Sequence, residues 1–187
     1  MTLQIRNIRT EEWEDAMALV WRTFLKYEAC DYEEEGVRSF LDFITDERLK
    51  KLHMIGEYPV MAAFCGQKMV GVASMRSINH ISLLFVDSKY HKKGIGTELV
   101  HSLRELVLAE GRRSSLTVNA APYATGFYHK IGFTDTDRMC TKEGISYTPM
   151  EWTFASFTGN PTDQATCIRK VENFVYLCYR KNQKCII

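Results

Sequence analysis

Hydrophobic positions along the chain recur with two different periods, and the alternation between them predicts a series of strands and helices. Alternating apolar residues predict a short opening strand over residues 4–9. Apolar residues at helical spacing follow over residues 13–24, behind the candidate N-cap Thr10. Further helical segments are expected over residues 31–44 and, as a short turn, 46–52. The inward face of the second helix is expected to comprise Phe40, Leu41 and Ile44.

Three strand-like runs come next, over residues 60–65, 69–75 and 80–86. The first two are separated by the pair at residues 66–67, Gly-Gln, which predicts a tight hairpin. The spacing then becomes helical, and this helix is expected to end at Gly111. Its buried face is expected to comprise Ile95, Leu99, Val100, Leu103, Leu106 and Val107.

The pattern then alternates once more between strand and helix. Residues 115–118 predict a strand, residues 123–130 a helix, and residues 133–154 a hairpin that turns near residues 142–144. The predicted order of elements is β-α-α-β-β-β-α-β-α-β-β.

The composition fits one compact globular domain, because 187 residues with 45% hydrophobic and 25% charged residues can bury a single core. The formal net charge of +1 excludes a global field that draws the protein to nucleic acid or a membrane. An anionic ligand therefore needs a local site. The N-terminus lacks an apolar leader and no long apolar run occurs, so we expect a cytoplasmic protein with no membrane contact.

Six cysteines are scattered through the chain, with no C-x-x-C pair and no zinc-like spacing to a histidine. We therefore expect reduced thiols and no metal site. Each cysteine is expected to be a small buried hydrophobic residue.

The stretch most informative about function joins the strand ending at Val86 to the long helix. It reads Asp87-Ser88-Lys89-Tyr90-His91-Lys92-Lys93-Gly94-Ile95-Gly96-Thr97. A helix N-terminus leaves backbone N–H groups without partners and carries partial positive charge. Gly94 and Gly96 allow an anion to approach these groups, and Lys92 and Lys93 add positive charge. The pattern predicts a loop that binds pyrophosphate.

Two other phosphate-binding loops fit this stretch less well. A Walker A loop needs G-x-x-x-x-G-K-[ST], and it is excluded because here the lysines precede the glycines. The dinucleotide fingerprint G-x-G-x-x-G fails at Leu99, and residues 112–115 offer no acidic group for a ribose. A surface turn that merely starts a helix is the structural alternative.

Two motifs together resemble the GCN5-related N-acetyltransferase (GNAT) superfamily. The loop from His91 to Gly96 is similar to that family's Q/R-x-x-G-x-G/A pyrophosphate loop, with His91 in place of the usual Gln or Arg. Residues 119–133 (NAAPYATGFYHKIGF) resemble its second signature, an Asn after a strand and a Tyr in the next helix before a Gly-Phe pair. The likeness covers residues 1 to about 154 in the order and type of elements.

The resemblance implies a mixed α/β fold of the GNAT type for residues 1–154. Its central sheet is mostly antiparallel, flanked by helices, and splayed between the fourth and fifth strands. It also implies acetyl-CoA as cosubstrate, with the pantetheine arm lying like an added strand along Leu84, Phe85 and Val86. The residues that hold the pyrophosphate would be His91, Lys92, Lys93, Gly94, Ile95, Gly96 and Thr97.

Acetyl transfer to an amine needs a polarised carbonyl and a proton for the departing thiolate. The resemblance assigns the first role to the backbone N–H of Val86. It assigns the second to Tyr128, a phenol that stays protonated at neutral pH, with a core tyrosine as the alternative. Asn119 fits a hydrogen bond to the pantetheine or the acceptor, and equally a turn-forming residue at a strand end.

His80 is the leading candidate for the general base. Strict alternation along its strand places it on one side with Ser82 and Leu84, and the reference pKa of histidine is about 6.5. The alternatives are a structural histidine at a strand edge and loss of the amine proton through water. Glu57 is the second candidate for the base.

An acidic stretch follows the first helix and comprises Glu28, Asp31, Glu33, Glu34 and Glu35. The resemblance places it where acceptors enter, and carboxylates there attract a cationic amine. The alternative is a solvated helix start in which Asp31 is the N-cap and the glutamates face the helix dipole.

The expected function is transfer of an acetyl group from acetyl-CoA to a primary amine by direct attack in a ternary complex. The sequence does not specify the acceptor, a small amine or a peptide amine. The alternative from another class is a CoA-binding or sensing module without turnover. Nucleic-acid binding is poorly supported, because basic residues do not cluster with aromatic ones beyond Arg112 and Arg113.

Residues 155–187 extend beyond the part of the chain that the superfamily core requires. After a break at residues 159–163, apolar residues recur at roughly helical spacing, although residues 174–179 also fit a strand. We expect this extension to be helical and to pack either on the domain or on the second subunit of a homodimer.

Overall fold

The structure is a computed structural model that describes residues 2–111 and 114–154. Its strands are β1 (Leu3–Asn7), β2 (Val60–Cys65), β3 (Lys68–Arg76), β4 (His80–Val86), β5 (Ser115–Ala120), β6 (Thr134–Asp135), β7 (Cys140–Lys142) and β8 (Ile145–Thr153). Its α-helices are α1 (Trp13–Tyr27), α2 (Glu34–Ile44), α3 (Glu47–Met54), α4 (Ile95–Glu110) and α5 (Thr125–Lys130). The order agrees with the predicted one except for two additions: α3, which the sequence predicts only as a short turn of helix, and the short strand β6.

The eight strands form one sheet in the order β1-β2-β3-β4-β5-β8-β6, and β7 pairs with β8. Strands β4 and β5 run parallel, whereas the other neighbouring pairs of described strands are antiparallel. This mixed, mostly antiparallel sheet confirms the expected fold class.

The sheet separates two hydrophobic layers. On one face α4 packs through Ile95, Leu99, Val100, Leu103 and Val107, and Leu106 is partly buried beside them. This helix ends at Gly111, whose φ of +63° is the predicted left-handed C-cap. On the other face α1 packs through Trp13, Ala16, Met17, Leu19, Val20 and Phe24.

Helix α1 begins later than predicted, because Thr10–Glu12 form a 3-10 turn that is preceded by Arg9. The Glu12 carboxylate accepts hydrogen bonds from the Arg6 guanidinium at 2.7 Å and the Arg9 backbone N–H at 2.8 Å. The Arg6 hydrogen bonds are the main cause that lowers the pKa of Glu12 to about 2. This charged cluster joins the end of β1 to the start of α1.

A β-bulge in β4 lies where β4 leaves its parallel neighbour. The register of β3 and β4 shifts after Ser74, which leaves Ser82 as an extra residue on β4. The Ser82 hydroxyl forms a triangle of hydrogen bonds of 2.7 to 3.0 Å with the hydroxyls of Tyr58 and Ser74. Within the described strands, β4 pairs with β5 at His80 and Ile81 alone. Because a bulge bends and twists its strand, the two strands diverge from Ser82 onward, which is the predicted splay.

Helix α2 contacts the turn between β7 and β8. The Glu33 N–H donates to the Gly144 carbonyl at 3.1 Å. A Cβ added to Gly36 would lie 2.5 Å from the same carbonyl oxygen, so this approach of two backbones requires glycine. The start of α2 and the β7–β8 hairpin therefore form one connected wall.

Two local expectations for the second helix are wrong. Leu41 is 36% exposed, whereas Phe40 and Ile44 pack inward, because successive helical residues are rotated by about 100°. Asp31 belongs to a separate 3-10 turn, and the N-cap of α2 is Glu33.

The expectation of buried cysteines is also wrong for the described thiols. Cys30 and Cys140 are exposed, Cys65 is half-buried, and all three are free. Cys65, at the end of β2, packs against the layer of α4 but is not fully covered.

No helix within residues 2–111 and 114–154 is long and apolar enough to cross a membrane. The predicted C-terminal helix and its contact with a second subunit concern residues 155–187, which lie outside the described residues.

We expect Gly36→Ala to lower the free energy of unfolding by about 1 to 3 kcal/mol, because the added methyl group must displace the Gly144 backbone. Chemical denaturation measures this change. Gly126→Ala in α5 is the matched control, since its added Cβ meets nothing within 4 Å. It should leave stability unchanged or raise it by up to about 1 kcal/mol. A Gly36→Ala variant as stable as the parent would contradict the contact.

Candidate active site

The gap between β4 and β5 exposes backbone groups of β4. The Asp87 N–H donates to Val70 O at 2.8 Å, so Asp87 faces β3. Successive residues of an antiparallel strand face opposite neighbours, so Phe85 also faces β3 while Leu84 and Val86 face the gap. The backbone groups of Leu84 and Val86 therefore form an edge to which an extended ligand can add as a strand.

His91 ties the following loop to this edge. Its Nε2 lies 2.7 Å from the Val86 carbonyl oxygen, and since that oxygen only accepts, the ring donates. The His91 ring packs on Tyr27 with ring centroids 5.0 Å apart, and Tyr27 stacks on Tyr123 at 5.3 Å. The end of β4, the loop and the end of α1 are thus joined, and the N–H of Val86 still faces the gap.

The loop presents a row of backbone N–H groups. Lys92 and Gly94 have φ values of +59° and +79°, on either side of Lys93. Such alternation turns successive N–H groups toward one side and makes an anion-binding concavity. Among the hydrogen bonds of the described residues, none uses the N–H groups of residues 92–97. They lie at the N-terminus of α4, whose partial positive charge adds to theirs.

The two glycines of the loop have different reasons to lack a side chain. A Cβ on Gly94 would meet nothing within 4 Å, so its outer side is open and its positive φ is what favours glycine. A Cβ on Gly96 would lie 3.3 Å from the Phe127 ring, so Gly96 also serves the packing of α4 on α5. Ile95 is buried and Thr97 half-buried, whereas Lys92 and Lys93 are exposed.

Tyr128 is 4% exposed on α5, with Phe127 and Phe133 meeting its ring edge-on at centroid distances of 5.2 and 5.1 Å. Its hydroxyl makes no hydrogen bond with any described residue. Burial, and then the negative charge of Glu28, raise the pKa of Tyr128 far above its ordinary value. The hydroxyl is therefore protonated at neutral pH and free to donate.

Glu28, the residue after α1, carries a carboxyl group with a shifted pKa. Burial, followed by the charge of Asp31, raises the pKa of Glu28 to about 7. The charge of Glu28 in turn raises the pKa values of Tyr123 and Tyr128. The end of α1, where Tyr27 stacks on Tyr123, therefore meets the segment that carries Tyr128.

Sequence reasoning grouped Glu28 with its acidic neighbours and did not single it out. Glu33, Glu34 and Glu35 are exposed, whereas Glu28 is half-buried. The signal that distinguishes Glu28 is its position directly after α1, four residues after the buried Phe24.

His80 lies at the start of β4, where its Nδ1 is 2.9 Å from Thr117 Oγ1. The length of an extended strand, about 20 Å, separates it from Val86. Burial, and then the charge of Arg76, lower the pKa of His80 to about 4. Its place at the closed end of the gap favours the structural alternative, and its role as base stays a prediction.

Strict alternation, which places His80, Ser82 and Leu84 on one side, is wrong because of the bulge. Ser82 bonds Tyr58 in the layer of α1, whereas Leu84 packs against the layer of α4. The other candidates are both exposed: Asn119 lies at the end of β5, and Glu57 lies in the turn before β2.

Sequence and fold both match one family. Residues 28–154, more than half of the chain, match the model of the acetyltransferase (GNAT) domain. The chain therefore belongs to the GNAT acetyltransferase family, and the resemblance seen in its two motifs is confirmed.

Similar proteins found by sequence and by structure are also named as N-acetyltransferases. The N-acetyltransferase YafP of Escherichia coli K12, described as uncharacterised, is 28% identical over 131 residues, which are 70% of this chain and 81% of YafP. A GCN5-related N-acetyltransferase from Rhodopseudomonas palustris is 25% identical with a TM-score of 0.70, over 82% of this chain and 97% of that one. PaiA N-acetyltransferase from Thermoplasma acidophilum, solved with coenzyme A, has 19% identity and a TM-score of 0.69, over 82% and 100% of the two chains.

We expect His91→Leu to lower the free energy of unfolding by about 1 kcal/mol, because Val86 O loses its donor and Tyr27 an aromatic neighbour. His91→Gln keeps a donor and should lose less. Chemical denaturation of both variants beside the parent measures the difference. Equal losses in the two variants would show that the hydrogen bond to Val86 contributes nothing.

Proposed function

We propose that the protein transfers an acetyl group from acetyl-CoA to a primary amine by direct attack of the amine in a ternary complex. One juxtaposition carries this proposal: the edge of β4 at Leu84 and Val86, which pairs with no other described strand, adjoins the row of free N–H groups at residues 92–97. An extended arm with amide groups fits the first surface, and a pyrophosphate fits the second. PaiA and an aminoglycoside 6'-N-acetyltransferase, both solved with coenzyme A, share the fold and support the proposal.

The residues of the loop fit the anionic part of CoA. The N–H groups of residues 92–97 would hold the pyrophosphate, and Lys92 and Lys93 would add positive charge at its edge. The N–H and C=O groups of Leu84 would hold the pantetheine amides, next to the Val86 N–H, and Asn119 stands across the gap at the end of β5. CoA would supply the activated acetyl thioester.

Two groups of the chain act on the transfer itself. The N–H of Val86, fixed in the gap by the bend of β4, donates to the thioester carbonyl and stabilises the negative charge that develops there. Tyr128 donates its hydroxyl proton to the departing thiolate. Burial makes the phenol a weaker acid, but it also raises the basicity of a thiolate that forms in the same enclosed space.

The direct test mixes the protein with acetyl-CoA and a panel of primary amines and follows release of free thiol. Thiol release that depends on both protein and amine supports the proposal. Tight binding of CoA by calorimetry without thiol release for any amine would favour the alternative, a CoA-binding module. Absence of CoA binding would contradict both.

We expect Gly94→Ala to weaken CoA binding at least about 10-fold, because its methyl group and its strained φ disturb the N–H row. Gly111→Ala is the matched control, at the opposite end of the same helix. It also has a positive φ and open space around an added Cβ. Both variants should lose similar stability, whereas Gly111→Ala should keep its CoA affinity in calorimetry. Equal affinities in the two variants would contradict the assignment of the loop.

We expect Tyr128→Phe to lower kcat by about 10²- to 10⁴-fold while leaving acetyl-CoA affinity and stability nearly unchanged. Its hydroxyl has no partner in the described structure, so its removal leaves no polar group unsatisfied. Tyr123→Phe is the control, since Tyr123 is a 54% exposed phenol on the same segment. Steady-state kinetics with chemistry shown to be rate-limiting decide the matter, and an unchanged kcat would remove Tyr128 from the mechanism.

A further inference from the structure

Three hydroxyl groups close a triangle of hydrogen bonds at the bulge of β4. The Tyr58 hydroxyl lies 2.7 Å from that of Ser74 and 2.8 Å from that of Ser82, and the two serine hydroxyls are 3.0 Å apart. No other described residue hydrogen-bonds to these three side chains. Each hydroxyl has one proton, so a triangle in which each donates once and accepts once uses all three protons.

This hydroxyl triangle lies among apolar side chains. Ser74 is 0% exposed and Tyr58 is 2% exposed. The cross-strand partners of Ser74 are Val60 and Leu83, which are both buried. Alanine and phenylalanine would fill nearly the same space without withdrawing hydroxyl groups from water. Hydrogen bonds fix distance and direction more narrowly than apolar contacts do, so the triangle contributes geometry.

The bulge decides which backbone groups of β4 face the gap. Ile81, before the bulge, packs in the layer of α4, whereas Leu83, two residues later, packs in the layer of α1. Residues two apart in a regular strand face the same way, so Ser82 reverses the alternation. The reversal turns the backbone groups of Leu84 and Val86 toward the gap.

We propose that Tyr58 is a positioning residue for acetyl transfer: through the hydroxyl triangle it fixes the bulge and thereby the direction of the Val86 N–H. This role rests on the transfer proposed above, in which that N–H donates to the thioester carbonyl. Tyr58 lies in the connection between α3 and β2, outside both sequence motifs, and acts through Ser82.

Residues 83–86 connect the hydroxyl triangle to the reacting group. Their far end is held where His91 donates to the Val86 carbonyl at 2.7 Å. Their near end is held where Ser82 joins the triangle. The two ends are about 13 Å apart along an extended strand. A change of strand direction at Ser82 therefore displaces the Val86 N–H.

Tyr58 is itself anchored outside the sheet. Its backbone N–H donates to the Leu52 carbonyl in α3 at 3.2 Å, and its own carbonyl accepts from the His53 ring at 3.2 Å. Its aromatic ring meets Trp13 of α1 edge-on, with ring centroids 6.5 Å apart. The triangle therefore ties β4 to α1 and α3 as well as to its neighbour β3.

The first test removes one oxygen atom. Tyr58→Phe keeps the aromatic ring but leaves the two serine hydroxyls bonded only to each other. With the most active amine of the panel described above, we expect kcat to fall about 10- to 10²-fold, because a small displacement of a catalytic donor is costly. The KM for acetyl-CoA should change less than about 3-fold, since the pyrophosphate loop is untouched.

Thr23→Val is the matched control for Tyr58→Phe. It removes a hydroxyl that is also buried, but that bonds the Leu19 carbonyl within α1 and does not contact the bulge. This control should leave kcat unchanged when both variants are measured well below their midpoints of thermal unfolding.

Two variants of the same shape test whether the Ser82 hydroxyl itself matters. Ser82→Thr and Ser82→Val add the same branch, and only threonine keeps a hydroxyl. We expect Ser82→Thr to retain kcat within about 3-fold and Ser82→Val to lose it as Tyr58→Phe does. A parental kcat in Tyr58→Phe or in Ser82→Val would overturn the proposal.

The last test needs no turnover. Amide hydrogen exchange, followed by NMR in the free full-length protein, compares the N–H of Leu83, which is paired with Ser74, and that of Phe85, further along the same strand. Tyr58→Phe should speed exchange at Leu83 at least about 10-fold more than at Phe85, whereas Thr23→Val should affect the two amides equally.

Equal changes at Leu83 and Phe85 in Tyr58→Phe would overturn the proposal even if the parent releases thiol. Absence of thiol release by the parent with every amine would instead contradict the proposed function, and the exchange measurement does not depend on it. The two failures are therefore distinguishable.

Discussion

The extra residue in β4 is the constraint on which the rest of the site depends. Parallel strands normally stay paired along their length, but here β4 and β5 separate after His80 and Ile81. Ser82 is accommodated by a bulge that the hydroxyls of Tyr58 and Ser74 hold in place. The bend opens a gap without breaking the pairing of β4 with β3. A sheet with an uninterrupted ladder would have no free edge at its centre and no space for a ligand there.

The gap is bordered by the loop before α4 on one side and by the end of α1 on the other. On the side of α4 the loop offers unpaired N–H groups and two exposed lysines, which favour an anion. On the side of α1, Tyr27 packs on His91 and stacks on Tyr123. His91 and Tyr27 connect the two sides through one hydrogen bond and one ring contact. The arrangement places a surface suited to an anion beside the free edge of β4, which the proposed binding of acetyl-CoA requires.

The sequence predicts the elements well where the signal is local. The bounds of β2 and β4 agree with the predicted runs, because hydrophobic residues and turn residues delimit both. The loop before α4 can be recognised in the sequence because glycines, lysines and a helix start coincide within a few residues. The bulge cannot be predicted from the sequence, because it depends on how Ser82 aligns with a neighbouring strand. The surroundings of the end of α1 cannot be predicted from the sequence either, because Tyr123, which stacks on Tyr27, is far away in the chain.

The central claim is that the backbone groups of Leu84 and Val86 face the gap and bind the thioester arm, while Phe85 is paired with β3. Residue-resolved amide hydrogen exchange by NMR, with and without acetyl-CoA, tests it most directly. The account predicts that Leu84 and Val86 exchange faster than Phe85 in the free protein and slow on addition of acetyl-CoA, while Phe85 stays nearly constant. Equal protection of the three amides in the free protein, or no slowing at Leu84 and Val86 with acetyl-CoA at saturation, would contradict it.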